Sequence, residues 1–347
     1  MGTGAETRRR RPLAVSMGDP AGIGPEITLR AWLERSDRGL EPFVVFGDAD
    51  TLTDRARHIG LTVPVSRFTG LREASDAFGK SLPVIHQPLP ARARPGAPDT
   101  ANAAGIIGSI AAATDAVMRG EAAAVVTNPI AKHVVRGADF PFPGHTEFLA
   151  ALAERRTGKP LRPVMMLASR ELRVVPLTVH CALRQVPDAI TRPLIYETVR
   201  ITYAALKRDF GIGAPRIAVA GLNPHAGEEG TMGREEIETI GPAIGDLRAE
   251  GLSVTGPHSA DTLFHAAARR GYDAVIAMYH DQALIPLKTI GFDEGVNVTL
   301  GLPFVRTSPD HGTAFDIAAE GRASATSLIE ALRLASSIAA SRAATSP

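Results

Sequence analysis

The sequence is poor in cysteine, with Cys181 alone among 347 residues. One cysteine excludes an intrachain disulfide framework, and proteins that depend on disulfides belong to oxidising compartments. We therefore predict a protein of the reducing cytoplasm. The sequence also lacks any run approaching the roughly 18 consecutive apolar residues of a membrane span, and we predict no membrane partner.

An excess of charge of either sign is absent as well. The formal net charge is only +1, whereas a nucleic-acid-binding protein concentrates basic residues on one surface, so we predict no nucleic-acid partner. The single basic run, at residues 8–11, precedes an apolar run too short for a twin-arginine signal. We predict that residues 1–11 form a disordered, solvated leader.

What is present is an alternation of strand and helix patterns in a chain that is 44% hydrophobic. Apolar runs at 13–17, 122–127, 216–220 and 272–278 predict buried strands, and the alanine-rich stretch 103–119 predicts a helix. This alternation predicts an α/β fold of mostly parallel sheets with helices on both faces. The length predicts two domains, which we place at 12–128 plus 307–347 and at 129–306.

A glycine-rich turn, GDPAGIGPE at 18–26, follows the first predicted strand and leads into a helix with Pro25 in its first turn. Such turns can hold a phosphate at a helix N-terminus. The spacing does not match G-x-G-x-x-G. A structural turn and a dinucleotide-binding loop therefore both remain open.

Three histidines, His180, His225 and His280, each follow a predicted strand. Because the carboxyl ends of parallel strands face one crevice, we expect them to meet there. Imidazole nitrogens suit zinc and other borderline divalent metals, and three protein ligands with open positions are typical of a catalytic metal site. Asp261 and Asp281 are carboxylates that could orient a metal ligand or accept a proton. A structural alternative is that His280 and Asp281 only cap the next helix.

A second group of polar residues predicts an anion site. His145 and Thr146 begin a predicted helix after a glycine turn, with Thr146 expected at the N-cap. Lys288, Asn297 and Arg306 follow His280, and an arginine beside a lysine is a usual combination for binding phosphate or carboxylate. Together they suggest an anionic substrate next to the metal.

These residues stand in motifs that resemble a known family, the 4-hydroxythreonine-4-phosphate dehydrogenases of pyridoxal phosphate biosynthesis. The resemblance covers nearly the whole chain from Leu13. The motifs that carry it are GDPAGIGPE (18–26), GHTEF (144–148), GLNPHAGE (221–228), YHDQ (279–282) and GLPFVRTS (301–308). A further motif, HGTAFD at 311–316, is similar to the adenosine-binding loop of isopropylmalate and isocitrate dehydrogenases.

The resemblance implies a two-domain isocitrate/isopropylmalate dehydrogenase-like fold with the active site in the cleft between the domains. It implies His180, His225 and His280 as ligands of a divalent metal (zinc, magnesium or cobalt) shared between the subunits of a homodimer. Substrate would be bound by His145, Thr146, Lys288, Asn297 and Arg306. NAD or NADP would be bound by His311, Gly312, Thr313, Ala314 and Asp316. The catalytic base is expected to be Asp261 or Asp281 from their positions in the sequence alone.

The expected reaction is oxidation of 4-hydroxy-L-threonine 4-phosphate at its C3 hydroxyl to 2-amino-3-oxo-4-phosphooxybutanoate, which decarboxylates to 3-amino-2-oxopropyl phosphate. Relatives act on D-threonate or D-erythronate 4-phosphate or on a cyclic dihydrodiol dicarboxylate, so these substrates remain alternatives. A metal-dependent hydrolase of small phosphoesters could use the same histidines and anion site without a nucleotide.

Overall fold

The structure, a computed structural model, describes residues 11–138 and 140–345. The predicted leader lies outside these residues except for Arg11. The described chain divides into two compact units: the first runs to Gly144 and resumes over His311–Ser336, and the second comprises His145–Asp310 and the residues from Ser337 onward.

The first unit is a parallel sheet with helices. Its strands pair in the order β3-β4-β2-β1-β5, every pair parallel. The strands are β1 Leu13–Ser16, β2 Phe43–Gly47, β3 Val65–Phe68, β4 Leu82–His86 and β5 Val125–Thr127. The helices are α1 Gly24–Leu33, α2 Ala49–His58, α3 Leu71–Ala77, α4 Ala103–Met118 and α5 Lys132–Val135. Because β1 and β2 are buried at every position, both faces of the sheet are covered.

The second unit contains a mixed sheet in the order β12-β11-β6-β7-β10-β8-β9. Strands β7, β10, β8 and β9 are parallel, whereas β6 and β11 run antiparallel to their neighbours. The strands are β6 Val164–Ala168, β7 Arg173–Pro176, β8 Arg216–Ala220, β9 Ser253–His258, β10 Ala274–Ala277, β11 Val296–Leu300 and β12 Arg306–Pro309. The helices that lie wholly in this unit are α6 His145–Thr157, α7 Val186–Ala189, α8 Arg192–Arg208, α9 Gly241–Ala249, α10 Ala266–Arg269 and α11 His280–Gly291.

Short helical segments connect these elements. The 3₁₀ segments are Thr100–Asn102, Arg136–Ala138, Leu183–Gln185, Pro224–Gly230 and Ala260–Thr262. A π-helical turn, Glu236–Ile240, precedes α9. The predicted α/β class with mostly parallel strands is confirmed. Strand β4 was not predicted from the sequence, since it lies at the start of a proline-rich segment.

The limits of the two units differ from the domain bounds placed at 128 and 306 from the sequence. Residues after β5 stay with the first unit because α5 packs against α4. The last helix, α12 Thr326–Thr345, lies in the stretch 307–347 that the sequence assigned to the first domain. Its residues from Ser337 belong to the second unit, where Arg342 binds the buried carboxylate of Asp209 with N–O distances of 2.7 and 2.9 Å.

One helical stretch, Thr100–Met118, is long and apolar enough to cross a membrane by length and composition alone. Helix α4, which makes up most of it, packs against β1, β2 and β5. Core helices of this length pass the same test, and burial against a sheet accounts for its apolar composition.

The ion pair between Arg342 and Asp209 generates a prediction. Asp209 is 3% exposed, and although burial alone would raise its pKa, hydrogen bonds from Arg208 and Arg342 lower it. Arg342→Gln should reduce the free energy of unfolding by about 1–3 kcal/mol, because a buried carboxylate loses one of two cationic partners. The control is Arg322→Gln, whose partner Glu320 is exposed; it should change stability by less than about 0.5 kcal/mol. Equal melting temperatures for the two variants would contradict the prediction.

Candidate active site

Two of the three predicted metal ligands lie side by side. His180 follows β7 and His280 begins α11 directly after β10, the parallel neighbour of β7. The pairing continues past the end of β7, since Leu177 N donates to Ala277 O at 2.7 Å and Thr178 N to Met278 O at 3.2 Å. The two imidazole ring centroids are consequently 5.9 Å apart.

The surroundings of His280 fit a metal ligand. Its Nδ1 hydrogen-bonds Asp281 Oδ1 at 2.8 Å. A carboxylate that binds one ring nitrogen orients the imidazole and directs the other nitrogen toward a metal. Imidazole donors suit zinc and cobalt better than magnesium, which prefers oxygen ligands. Of the three predicted metals, the pair therefore fits zinc and cobalt better than magnesium.

His225 lies apart from this pair within one chain. It follows β8, the other parallel neighbour of β10, but stands exposed in the segment Pro224–Gly230. Over residues 11–138 and 140–345, no group of three or more His, Cys, Asp or Glu side chains is placed to hold one metal ion. One chain thus brings together His180 and His280 without His225.

The two predicted aspartates have different surroundings. Asp281 binds His280. Asp261, in the segment after β9, is exposed and accepts a hydrogen bond from Ser259 Oγ at 2.5 Å. This hydrogen bond lowers the pKa of Asp261, and the nearby His225 lowers it further. Asp281 therefore lies beside His280, and Asp261 lies near His225.

Arg306 is the centre of the predicted anion site. It begins β12, is only 3% exposed, and donates from Nη1 to Thr299 Oγ1 at 2.9 Å and to Asn297 Oδ1 at 3.4 Å. Burial lowers the pKa of Arg306 to about 10, so it remains a cation at neutral pH. Thr299 was missed in the sequence, although it lies two residues after Asn297 on β11 and so shares its face.

His145 and Thr146 begin helix α6. The Nε2 atom of His145 is buried and has no hydrogen-bond partner among the described residues. Burial lowers the pKa of His145 to about 3, and the charge of Arg306 contributes. The ring is therefore neutral at physiological pH. Thr146 is the second residue of the helix, so its predicted N-cap position was wrong by one to two residues, a common error at helix ends.

Lys288 is separated from Arg306 in the second unit. It lies eight residues after His280 on α11, about 12 Å along the helix axis. Its Nζ is 3.2 Å from Asp310 Oδ2. Asp310 directly follows β12 whereas Arg306 begins it. Lys288 and Arg306 therefore stand at opposite ends of that strand, and Asp310, which binds Lys288, was not predicted.

The predicted nucleotide loop, HGTAFD at 311–316, belongs to the first unit and lies against the glycine-rich turn. Ile23 N donates to Thr313 O at 2.9 Å. A side chain on Gly22 would place Cβ 2.8 Å from that oxygen, which explains the glycine. The amides of Ala21 and Gly22 bind Asp19 at 3.0 Å each. Because these amides are already used, the geometry favours a structural turn at 18–26 over a phosphate-binding loop.

Comparison with known proteins adds to this geometry. Residues 39–335 match the sequence profile of a family described as pyridoxal phosphate biosynthetic protein PdxA. The chain is similar to 4-hydroxythreonine-4-phosphate dehydrogenase of Methylorubrum populi, with 57% identity over 333 residues and 95% of each chain covered. It is also similar to the solved structure of 4-hydroxythreonine-4-phosphate dehydrogenase from Klebsiella pneumoniae, with a TM-score of 0.83, 39% identity, and 95% of this chain and 98% of that chain covered.

A more distant solved structure has a different activity in its name. It is a terephthalate 1,2-cis-dihydrodioldehydrogenase from Burkholderia xenovorans, with a TM-score of 0.63, 28% identity, and 95% of this chain and 98% of that chain covered.

The neutral His145, whose Nε2 is buried, generates a prediction about pH. Its pKa is about 3 in the folded protein and about 6.5 in an unfolded chain. The unfolded chain therefore binds an extra proton between these values, and the stability contributed by His145 is present above pH 6.5 and lost as the pH falls toward 3. The decrease in melting temperature from pH 7 to pH 5 should be smaller for His145→Asn than for the wild type. The exposed His133 provides the control, and a decrease as large in His145→Asn as in His133→Gln would refute the prediction.

Proposed function

Because the chain belongs to the PdxA family of pyridoxal phosphate biosynthetic proteins, we propose that it oxidises 4-hydroxy-L-threonine 4-phosphate at the C3 hydroxyl, using NAD or NADP. The C3 hydrogen leaves as hydride and the hydroxyl hydrogen as a proton, which gives 2-amino-3-oxo-4-phosphooxybutanoate. This product then loses carbon dioxide to give 3-amino-2-oxopropyl phosphate. The observation that carries the proposal is 57% identity, over 95% of both chains, to a protein with this activity in its name.

The substrate phosphate binds at Arg306. Its buried guanidinium supplies a fixed cation whose attraction for an anion is strengthened by the absence of water. The neutral His145 and the hydroxyl of Thr146 lie at the start of α6, where first-turn amides favour an anion. Asn297 binds Arg306 and contributes an amide to the same site. Lys288, which is paired with Asp310, contacts another part of the substrate.

His180, His225 and His280 would hold a divalent cation. When bound, the cation supplies Lewis-acid stabilisation of the developing alkoxide, and the nicotinamide supplies the hydride acceptor. Asp281 orients His280 through the 2.8 Å hydrogen bond to Nδ1. Asp261, exposed and not bound to His280, accepts the proton of the C3 hydroxyl.

The nucleotide binds at the loop that contains His311, Gly312, Thr313, Ala314 and Asp316. The backbone of this loop is held by the bond from Ile23 N to Thr313 O, and Ala314 has a left-handed φ of 43°. The exposed carboxylate of Asp316 is available to hydrogen-bond a ribose hydroxyl.

The active form is a homodimer in which one subunit supplies His225 to the His180 and His280 of its partner. Exposed apolar side chains near the predicted ligands support this arrangement, because a partner subunit could bury them. Among the described residues, six exposed large apolar side chains lie in segments that carry or follow a predicted metal ligand. These six are Val179, Leu183, Met232, Ile237, Ile285 and Phe292, whereas Leu33 is exposed elsewhere.

We propose a cytoplasmic location as well. Cys181, the only cysteine in the sequence, is a free and exposed thiol. Such a thiol is compatible with a reducing compartment.

The direct test is incubation of the purified protein with zinc or cobalt, NAD or NADP, and each candidate substrate, following absorbance of the reduced nicotinamide. The candidates are 4-hydroxythreonine 4-phosphate, D-threonate 4-phosphate, D-erythronate 4-phosphate and a terephthalate dihydrodiol. Reduction with the first substrate fastest supports the proposal. Reduction only with another would transfer the assignment to that substrate, and release of inorganic phosphate without reduction would favour the hydrolase.

Arg306→Ala should raise KM for the phosphorylated substrate by about 10- to 100-fold, because a charge-assisted hydrogen bond is lost. KM for the unphosphorylated acid should change much less. An equal effect of Arg306→Ala on both substrates would reject the phosphate assignment.

Thr299→Val removes one fixed acceptor of Arg306 and should raise KM for the phosphorylated substrate several-fold. Thr299→Ser, which keeps the hydroxyl, should restore most of the affinity.

The shared metal site can be tested with mixed dimers. His225→Ala and His280→Ala homodimers should both be inactive. A heterodimer of the two variants, isolated with two different affinity tags, should regain about half of the wild-type activity, because one of its two sites then has all three histidines. No recovery in verified heterodimers would show that each site draws its ligands from one chain.

A further inference from the structure

The backbone around His225 has an unusual conformation. Residues 225–229 have φ values of 51°, 51°, 79°, 42° and 55°. Only one of them, Gly227, is a glycine, and L-residues rarely adopt positive φ. Consecutive residues persist in such a conformation only where surrounding contacts determine it, and these places are often functional.

Glu236 supplies hydrogen bonds at the base of this loop, directly before the left-handed residues. Its side chain is 4% exposed and lies at the start of the π-helical turn Glu236–Ile240. Oε1 accepts hydrogen bonds from the backbone amides of Leu222 and Asn223 at 2.7 and 2.8 Å, and Oε2 accepts one from Asn223 Nδ2 at 2.9 Å. One buried carboxylate therefore fixes the loop immediately before His225.

Packing around this carboxylate leaves no space for a side chain at two neighbouring glycines. A Cβ on Gly227 would lie 2.7 Å from Glu236 Oε2. A Cβ on Gly233 would lie 2.2 Å from Asn223 Nδ2. Both positions therefore require glycine when the loop is bound to Glu236 in this way.

The base of the loop is also joined to the strand end that carries His280. Gln282 Nε2 donates to Gly221 O at 2.9 Å, while Gln282 Oε1 accepts from Met278 N at 2.6 Å. The position of the His225 loop is therefore set relative to β10, from which His280 projects.

We infer that Glu236 is a positioning residue for His225, which it holds, through the amides of Leu222 and Asn223, in the orientation needed to bind a divalent cation. The inference rests on the metal site of the proposed function. A loop that is already fixed does not lose conformational freedom when the cation binds. Its affinity for the cation is therefore higher than that of a flexible loop. The π-helical turn, a feature frequent at functional sites, presents the carboxylate at this position.

The test is the zinc affinity of folded wild type, Glu236→Gln and His225→Ala, measured by competition with a chelating dye below the melting temperature of each. Glu236→Gln keeps the size of the side chain but turns an NH₂ group toward a donor. We expect zinc affinity to fall by about 10-fold or more. Glu250→Gln, which alters an exposed glutamate bound to Arg200 in the same unit, should leave it unchanged.

The outcomes separate the inference from the proposed function. Wild-type zinc affinity in His225→Ala would remove the metal assignment itself. Weaker zinc binding in His225→Ala, together with wild-type zinc affinity in folded Glu236→Gln, would overturn only the inference about Glu236. This holds even if Glu236→Gln is less stable, because a purely structural role predicts lower stability without weaker zinc binding. If Glu236→Gln does not fold, Asn223→Ala should weaken zinc binding, and unchanged affinity there would overturn the inference as well.

Discussion

The parallel pairing of β7, β10 and β8 is the constraint on which the candidate site depends. Parallel strands end at the same edge of a sheet, so residues far apart in the chain emerge beside one another. The bond from Leu177 N to Ala277 O extends this pairing beyond β7 and brings His180 toward His280. The backbone that leads to each of these two histidines is therefore positioned by main-chain hydrogen bonds.

The anion site follows a different physical principle, the burial of a charge. The guanidinium of Arg306 is removed from water and oriented by the hydroxyl of Thr299. The Nε2 atom of His145 is buried as well, and the ring is kept neutral by desolvation and by the charge of Arg306. A phosphate that enters this site would interact with the guanidinium cation with little competition from water. The binding energy would therefore come from the phosphate end of the substrate, which is away from the reacting carbon.

The proposed sharing of the metal site links subunit association to chemistry. Six exposed apolar side chains in the segments of the three histidines provide surface that a partner could bury. If the partner completes the ligand set, metal binding stabilises the dimer, and the dimer in turn raises metal affinity, because each event favours the same state. The hydrogen bonds that Glu236 accepts from Leu222 and Asn223 would hold His225 in its metal-binding orientation within each subunit before the partner associates.

The sequence by itself determined the α/β class, the strand at 216–220 and the helix that begins at Ala103, because long apolar periodic segments have few alternative structures. It also identified the motif residues through family resemblance. The sequence did not predict β4, because this short strand lies at the start of a proline-rich segment without a clear periodic pattern. Only the tertiary structure decided that Thr299 holds Arg306, that Asp310 binds Lys288, and that Glu236 holds a left-handed loop of mostly non-glycine residues. Local preference opposes that loop, and only contacts between residues separated along the chain can overcome it.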